Sequence, residues 1–260
     1  MKKLVYTLLF LIVSCYSSGN SKFTRMFIEK NSGILKILKN NKIQIKLTVI
    51  DKNKEFDEYE YNVDSNKYFY PASTVKLPIA LFAIEKLNEN KYISIDTPFM
   101  LEDDTLKTTM RRELEKIFVL SDNQANNRLF EFLGQDYINQ KFISKGLNKS
   151  RIFHRLSTKN SSNLNGKRVD FFLNDSIISF QNKNTAPGKL NLKEVKKGVG
   201  YINHTENLIK EPMNFSKKNF ISINDLHKII KILFFSDKFE ESRRFNLTQT
   251  QKDLVFEYMS

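Results

Sequence analysis

Residues 70–78 read Tyr-Pro-Ala-Ser-Thr-Val-Lys-Leu-Pro, and an apolar stretch with helical spacing follows them. Ser73 and Lys76 are three positions apart, so a helix would place both side chains on one face. The amine of Lys76 can then approach Ser73 Oγ, and the helix N-terminus favours negative charge near the serine. Ser73 is also the only serine in the chain with a lysine three places further on. The segment therefore indicates an activated serine nucleophile; the alternative is a helix-capping serine followed by a solvated lysine.

A second polar motif, Ser-Asp-Asn at 121–123, opens another helical pattern further along the chain. Taken alone, it is a polar helix cap. Together with Ser73 and Lys76, in this order and at this separation, it resembles the motifs of class A β-lactamases and related penicillin-binding proteins. The chain is therefore identified as a member of the serine β-lactamase and penicillin-binding-protein superfamily, and it is also similar to lipoproteins described simply as serine hydrolases. The resemblance covers most of residues 23–260.

The resemblance implies a two-step acyl transfer on a β-lactam or a peptidoglycan-like peptide. Ser73 would attack the carbonyl carbon while Lys76 removes or relays its proton, and the main-chain N–H of Ser73 would be one oxyanion-hole donor. Ser121 would pass a proton to the leaving nitrogen. Asn123 would bind the amide side chain of the substrate and brace Lys76, while Asp122 is expected to point away and order its loop. Neither a cofactor nor a metal ion is expected.

The glutamate that deacylates class A enzymes has no counterpart in this chain. The family carries it on the loop after the Ser-Asp-Asn helix, but no glutamate lies between Glu131 and Glu194. The corresponding region reads His-Arg-Leu-Ser-Thr-Lys-Asn at 154–160. Fast hydrolysis of an acyl-enzyme is therefore not supported, and a penicillin-binding-like protein that acylates without turnover is an alternative.

The third motif of the family, Lys-Thr-Gly or Lys-Ser-Gly on a core strand, is also absent. Lys-Lys-Gly at 196–198 has the wrong middle residue and precedes the late helical patterns. The family would continue beyond Ser260 into further strands and a closing helix. The resemblance therefore implies a C-terminally truncated member with weak activity, or a non-catalytic truncated lipoprotein.

The predicted fold class is α+β, with a helical lobe beside an antiparallel sheet whose C-terminal strands are missing from the chain. A first helix should end near Asn40, and strands at 43–49 and 56–63 should form a hairpin. Residues 158–191 have little periodicity and predict a long loop. Further elements are predicted as a small hairpin at 171–173 and 177–180 and as helices at 79–87, 114–119, 125–133, 226–235 and 245–259.

The N-terminal residues have the pattern of an export signal. Lys2 and Lys3 precede the apolar run Leu4 to Val13, which is too short to span a bilayer as a mature helix. The run leads into Ile-Val-Ser-Cys, which resembles a bacterial lipobox, and Cys15 is the only cysteine in the chain. We therefore expect an exported lipoprotein that is anchored in a membrane through Cys15 and faces the periplasm. The predicted segments are a signal peptide at 1–14, a tether at 15–22 and a catalytic domain at 23–260.

The composition is that of a globular protein, with 40% hydrophobic and 27% charged residues. The formal net charge is +13, but the excess is mostly lysine scattered among Asn, Ile and Phe. No nucleic-acid-binding motif accompanies it. We therefore expect solvated lysine-rich faces and no nucleic-acid partner.

Overall fold

The computed structural model describes residues 32–53, 55–203 and 205–260. These residues form two compact units, one ending at Ser65 and the other extending from Asn66 to Ser260. The predicted signal peptide, the tether and Cys15 lie outside the described residues. Within the described ranges, no helix is both long enough and apolar enough to span a membrane.

The first unit contains a helix and a hairpin. Helix α1 (Ser32–Asn40) precedes strands β1 (Ile45–Ile50) and β2 (Phe56–Tyr61), which pair antiparallel. Leu38 of α1 and Tyr59 of β2 are the buried centre of a small apolar cluster. The predicted end of the first helix and the predicted hairpin are confirmed.

Six α-helices account for much of the described second unit, and a short 3₁₀ helix (Ala72–Val75) leads directly into the first of them. Polar side chains that precede four of these helices accept a hydrogen bond from the first turn, which explains where those helices begin. The helices are α2 (Lys76–Asn88), α3 (Met110–Leu120), α4 (Asn123–Leu133), α5 (Gln135–Ser144), α6 (Ile223–Phe234) and α7 (Gln249–Met259). All but α5 were predicted from apolar periodicity; the few apolar residues of α5 are diluted by Gln, Asn and Lys.

Helix α2 is the centre of the hydrophobic core. It packs against α3, α4 and α5, and every residue from Ile79 to Ile84 is at most 1% exposed. A helix that is apolar on all sides must be covered on all sides. Phe82, for example, meets Phe142 of α5 edge to face, with the ring centroids 5.2 Å apart. Core packing therefore fixes the position of Lys76, the first residue of this helix.

The strands of the second unit form small antiparallel sheets, and together with the helices they agree with the predicted α+β class. The largest has the order β3 (Phe99–Leu101), β5 (Val169–Phe172) and β6 (Ile177–Phe180). The remaining ladders pair β4 (Ser150–Arg151) with β11 (Phe220–Ile221), β7 (Lys196–Lys197) with β10 (Met213–Asn214), and β8 (Tyr201–Ile202) with β9 (Leu208–Ile209). The small hairpin predicted in the long loop is confirmed as β5 and β6. Strand β3 was not predicted, because three residues are too few to show alternation.

Candidate active site

Lys76 is the centre of a cluster that joins the two sequence motifs. Its Nζ lies 3.4 Å from Ser73 Oγ and 3.0 Å from Ser121 Oγ, and it also donates to the main-chain oxygen of Ser121. Lys76 is only 3% exposed, whereas Ser73 and Ser121 are both exposed to solvent. Both serines therefore lie at the surface, while the lysine that links them is shielded from water.

The chain leading to Ser73 is held by contacts on its N-terminal side. Tyr68 is fully buried, and its hydroxyl donates to the main-chain oxygen of Asn219 at 3.0 Å. Its ring packs against Phe215 and Phe220 at centroid distances of 5.2 and 5.7 Å. These contacts fix the segment that enters the 3₁₀ helix, so Ser73 is positioned from both sides.

The turn between α3 and α4 places Ser121 against Lys76. Ser121 ends α3 in the left-handed conformation, with φ 52° and ψ 41°, and Asp122 then caps α4. The Asp122 carboxylate accepts a hydrogen bond from the N–H of Ala125 at 2.7 Å. The expected loop-ordering contact of Asp122 is confirmed, and the turn brings both oxygens of Ser121 to Lys76.

Asn123 makes a contact that differs from the expected one. Its Nδ2 donates to Ser157 Oγ at 3.0 Å, whereas the hydrogen bonds of Lys76 go to Ser73 and Ser121. The expected bracing of Lys76 by Asn123 is therefore not observed, because the loop that carries Ser157 engages the amide instead. Sequence reasoning missed Ser157, since neither its residue type nor its spacing from Asn123 is distinctive.

Two interactions tie the loop before Ser157 to α4. The Asn127 side chain exchanges a pair of hydrogen bonds with the main chain of Leu156, donating to its oxygen and accepting from its N–H, both at 2.8 Å. Arg155 forms an ion pair with Glu131, and these side chains are 8% and 3% exposed. The helix that begins with Asn123 thus also anchors the loop that contacts Asn123.

Three residues around the cluster have a left-handed backbone. Ala72, Ser121 and Ser157 have φ values of 45°, 52° and 46°. This conformation is unfavourable for residues other than glycine, and it persists only where the surrounding structure enforces it. Five other described residues besides glycine also have a positive φ, so the conformation is not confined to the cluster. Within the cluster it occurs at the residue before Ser73, at the partner of Lys76 and at the partner of Asn123.

The environment of Lys76 also alters its protonation. Burial lowers the pKa of Lys76 from its ordinary value, and the nearby carboxylate of Asp122 opposes this effect. A lysine with a lowered pKa is neutral in a larger fraction of molecules, and only a neutral amine can accept a proton from Ser73.

The other residues that the sequence singled out make contacts that support the fold. Lys-Lys-Gly at 196–198 contributes β7, which pairs with β10 and precedes α6. His154 is largely buried, with Nδ1 2.7 Å from the main-chain oxygen of Arg155 and Nε2 accepting from the N–H of Asn219 at 3.3 Å. In the part of the chain that the structure describes, no group of three His, Cys, Asp or Glu side chains could hold a metal ion.

Comparison with known proteins gives one result. The Beta-lactamase2 model, described as the beta-lactamase enzyme family, matches residues 31–242. Neither the curated proteins nor the solved structures gave a match. The matched range covers most of the chain and contains the whole cluster around Lys76. On these grounds the chain belongs to the beta-lactamase enzyme family, within the superfamily of serine β-lactamases and penicillin-binding proteins.

Proposed function

We propose that this protein is a serine hydrolase of class A β-lactamase type that forms an acyl-enzyme with β-lactams through Ser73. The proposal is carried by the position of Lys76 Nζ between Ser73 Oγ and Ser121 Oγ, at 3.4 and 3.0 Å. A general base must lie within hydrogen-bond reach of the proton that it removes, and such contacts are often long until substrate binds. This position supports Lys76 as the base that activates the serine.

Each step of acylation has a candidate group in the cluster. Neutral Lys76 takes the proton of Ser73 as Oγ attacks the β-lactam carbonyl carbon. Ser121, hydrogen-bonded to the same lysine, delivers a proton to the leaving nitrogen as the ring opens. The N–H of Ser73 lies in the first turn of a helix, where N–H groups lack intrahelical partners, so it is suited to stabilise the oxyanion. Asn123 binds the amide side chain of the substrate.

A second candidate, a penicillin-binding-like protein that acylates without turnover, is favoured by one observation. Residues 137–169, which include the loop opposite Asn123, contain neither Asp nor Glu. The nearest carboxylate on α4, Glu131, is committed to its ion pair with Arg155. Because hydrolysis of the acyl-enzyme needs a base to activate water, this loop favours a long-lived adduct with a β-lactam or with a peptidoglycan-like peptide.

Labelling with a fluorescent penicillin tests the nucleophile. We expect covalent label on the parent protein, and peptide mapping should recover it on Ser73. The Ser73→Ala variant should remain unlabelled, whereas Ser162→Ala, which alters an exposed loop serine, should label as the parent does. Label recovered from another serine, or retained by Ser73→Ala, would refute the assignment.

Nitrocefin turnover distinguishes the two candidates. A β-lactamase consumes many equivalents of nitrocefin per protein molecule, whereas a protein that stays acylated gives one stoichiometric burst and then stops. From the absence of a loop carboxylate we expect a stoichiometric burst followed by weak but continuing hydrolysis. A burst with no later hydrolysis would instead identify the protein that stays acylated, and fast sustained turnover would require another route to an activated water.

We also propose that the protein is exported and held in a membrane by acyl chains on Cys15. The support is the sequence pattern alone: Lys2 and Lys3, the short apolar run and the single cysteine at its end. Acyl chains anchor a protein in proportion to their buried methylene groups. The parent should therefore be cleaved before Cys15 and require detergent for extraction. If Cys15→Ala is processed and partitions with membranes just as the parent does, lipidation is refuted.

A further inference from the structure

We infer that Ser157 is a positioning residue that holds the Asn123 amide for recognition of the substrate's side chain. The inference rests on the proposed function and adds to it a residue that selects β-lactams bearing an acylamide group. The direct observation is the 3.0 Å hydrogen bond from Asn123 Nδ2 to Ser157 Oγ.

The hydrogen bond leaves one end of the amide available. Among the described residues, Asn123 Oδ1 has no hydrogen-bond partner, while Nδ2 is engaged by Ser157. A primary amide has one acceptor oxygen and two N–H donors, so a side chain held at one end can still bind the N–H or the carbonyl of another amide. Asn123 is next but one in sequence to Ser121, whose hydroxyl contacts Lys76.

The frame around the hydrogen bond is fixed. Leu156 and Arg155, the two residues before Ser157, are tied to Asn127 and Glu131 of α4, the helix that begins with Asn123. Both partners of the hydrogen bond are therefore held in place by the same helix, α4. The asparagine does not have to be ordered when the substrate arrives, which removes a cost of binding.

The experiment compares two penicillins that differ in one group. Benzylpenicillin carries an acylamide side chain, whereas 6-aminopenicillanic acid has a free amine at that position. Pre-steady-state acylation of the full chain, followed by competition with a fluorescent penicillin, gives the binding constant and the acylation rate constant for each compound. The variants are Ser157→Ala and Ser157→Gly, because glycine tolerates the left-handed backbone and cannot fail through strain. Thr158→Ala, which removes the neighbouring exposed hydroxyl, is the matched control.

We expect both Ser157 variants to bind benzylpenicillin about three- to tenfold more weakly, the scale of one neutral hydrogen bond. The acylation rate constant should stay unchanged, as should every constant for 6-aminopenicillanic acid. Thr158→Ala should match the parent with both compounds.

Three outcomes would overturn the inference. Equal losses of affinity for both penicillins would mean that Ser157 only supports the loop. Unchanged affinity for benzylpenicillin would mean that the hydroxyl of Ser157 takes no part in binding. If the parent itself is acylated by neither compound, the proposed function fails before any variant is compared, and the role of Ser157 fails with it.

Discussion

Two adjacent asparagines on α4 differ in the hydrogen bonds that are open to them. Asn126 is completely buried, and neither polar atom of its side chain has a partner among the described residues. Asn127 is also buried, but it satisfies both the N–H and the carbonyl of Leu156. A buried amide stabilises a fold only when it is paired, because burial removes its hydrogen bonds to water. The two side chains are identical, but we expect Asn127 to raise the free energy of unfolding and Asn126 to lower it.

We predict that Asn126→Ala leaves the free energy of unfolding unchanged or raises it, since it removes two unpaired groups. Asn127→Ala should lower the free energy of unfolding by about 1 to 3 kcal/mol, because it leaves the main chain of Leu156 unpaired. Urea denaturation of both variants and the parent measures the difference. A clear loss of stability in Asn126→Ala would mean that the Asn126 amide has a hydrogen-bond partner, such as a buried water, and that this bond stabilises the fold.

Lys76 should govern the pH dependence of acylation. The neutral amine is the active form, so the acylation rate should rise with pH through the pKa of Lys76 and fall below it. Because burial lowers this pKa, the rise should occur below the ordinary lysine range near 10.5. Lys76→Ala should reduce the acylation rate by about a hundredfold or more, the scale of general-base catalysis, whereas Lys159→Ala should not change it.

Stopped-flow acylation by a penicillin across pH measures this profile. A parent rate that is independent of pH, or a Lys76→Ala variant that acylates like the parent, would remove the lysine from the mechanism.

The site residues that the sequence predicted belong to local motifs, whereas the residues that it missed have partners far along the chain. Ser73 and Lys76 share a helix face, so a local rule brings them together. Ser121 was reached through its motif rather than through geometry. Ser157 and Asn127 act through contacts made across a loop whose path no periodicity specifies, and the structure was needed to find them.

At the scale of elements, the loop that follows β4 depends on one buried ion pair. Arg155 and Glu131 are 8% and 3% exposed, and Arg155 also donates to the main-chain oxygen of Asn163 at 2.8 Å. Glu131 in turn accepts from the N–H of Lys167 at 2.9 Å. The pair therefore organises the loop on both sides of Ser157, and it joins that loop to α4.

An exposed ion pair in the same unit provides a matched comparison. Arg111 and Asp96 form the same two-bond geometry, at 2.6 and 2.8 Å, but their side chains are 42% and 58% exposed. Arg155→Met should lower the free energy of unfolding by about 3 to 5 kcal/mol, because it leaves Glu131 charged and buried without a partner. Arg111→Met should cost at most about 1 kcal/mol, since water replaces the lost contact.

Guanidinium chloride denaturation of the two variants tests this contrast. It is the more suitable denaturant here because its high ionic strength screens the exposed pair further and widens the expected difference. Equal costs for the two substitutions would show that the Arg155 loop can rearrange to solvate Glu131.

The elements themselves were predictable where their own residues specify them. Helix α2 has eight consecutive apolar residues after Lys76, and the alternation in β1 predicts a strand. By contrast, β4 and β11 contain two residues each, and only their pairing with a distant segment makes them strands. No local pattern carries that information, because the hydrogen bonds that define such ladders are set by tertiary packing.

At the scale of the whole second unit, residues far apart in sequence close the structure. The hydrogen bond from Tyr68 to Asn219 joins residues separated by 151 positions. The Asp225 carboxylate accepts from the N–H of Lys149 at 2.7 Å and from the hydroxyl of Ser150 at 2.8 Å. Between these two contacts, the Asn219 side chain accepts from the N–H of Phe153 and donates to the main-chain oxygen of His154. These hydrogen bonds therefore join the start of the second unit to its later part through one region, which consists of residues 149–154 and 219–225.

His154 makes this region sensitive to acid. Burial lowers the pKa of its imidazole, and the charge of Lys218 lowers it further, while the hydrogen bond to the Arg155 carbonyl acts in the opposite direction. Nε2 accepts the N–H of Asn219, which requires a neutral ring. The unfolded chain takes up a proton near the ordinary value of about 6.5, whereas the folded chain resists it to lower pH.

The free energy of unfolding should therefore fall as pH decreases below about 6.5, with a slope of up to about 1.4 kcal/mol per pH unit for one proton. It should stay level above that range as far as His154 is concerned, because both states are then neutral. His154→Gln cannot take up the proton, so its stability should decline less steeply between pH 6.5 and 5. Asp225, whose pKa burial raises, is present in both proteins and cancels in the comparison. Thermal unfolding of parent and variant at matched ionic strength measures the two slopes, and parallel slopes would show that the region releases His154 to water before the unit unfolds.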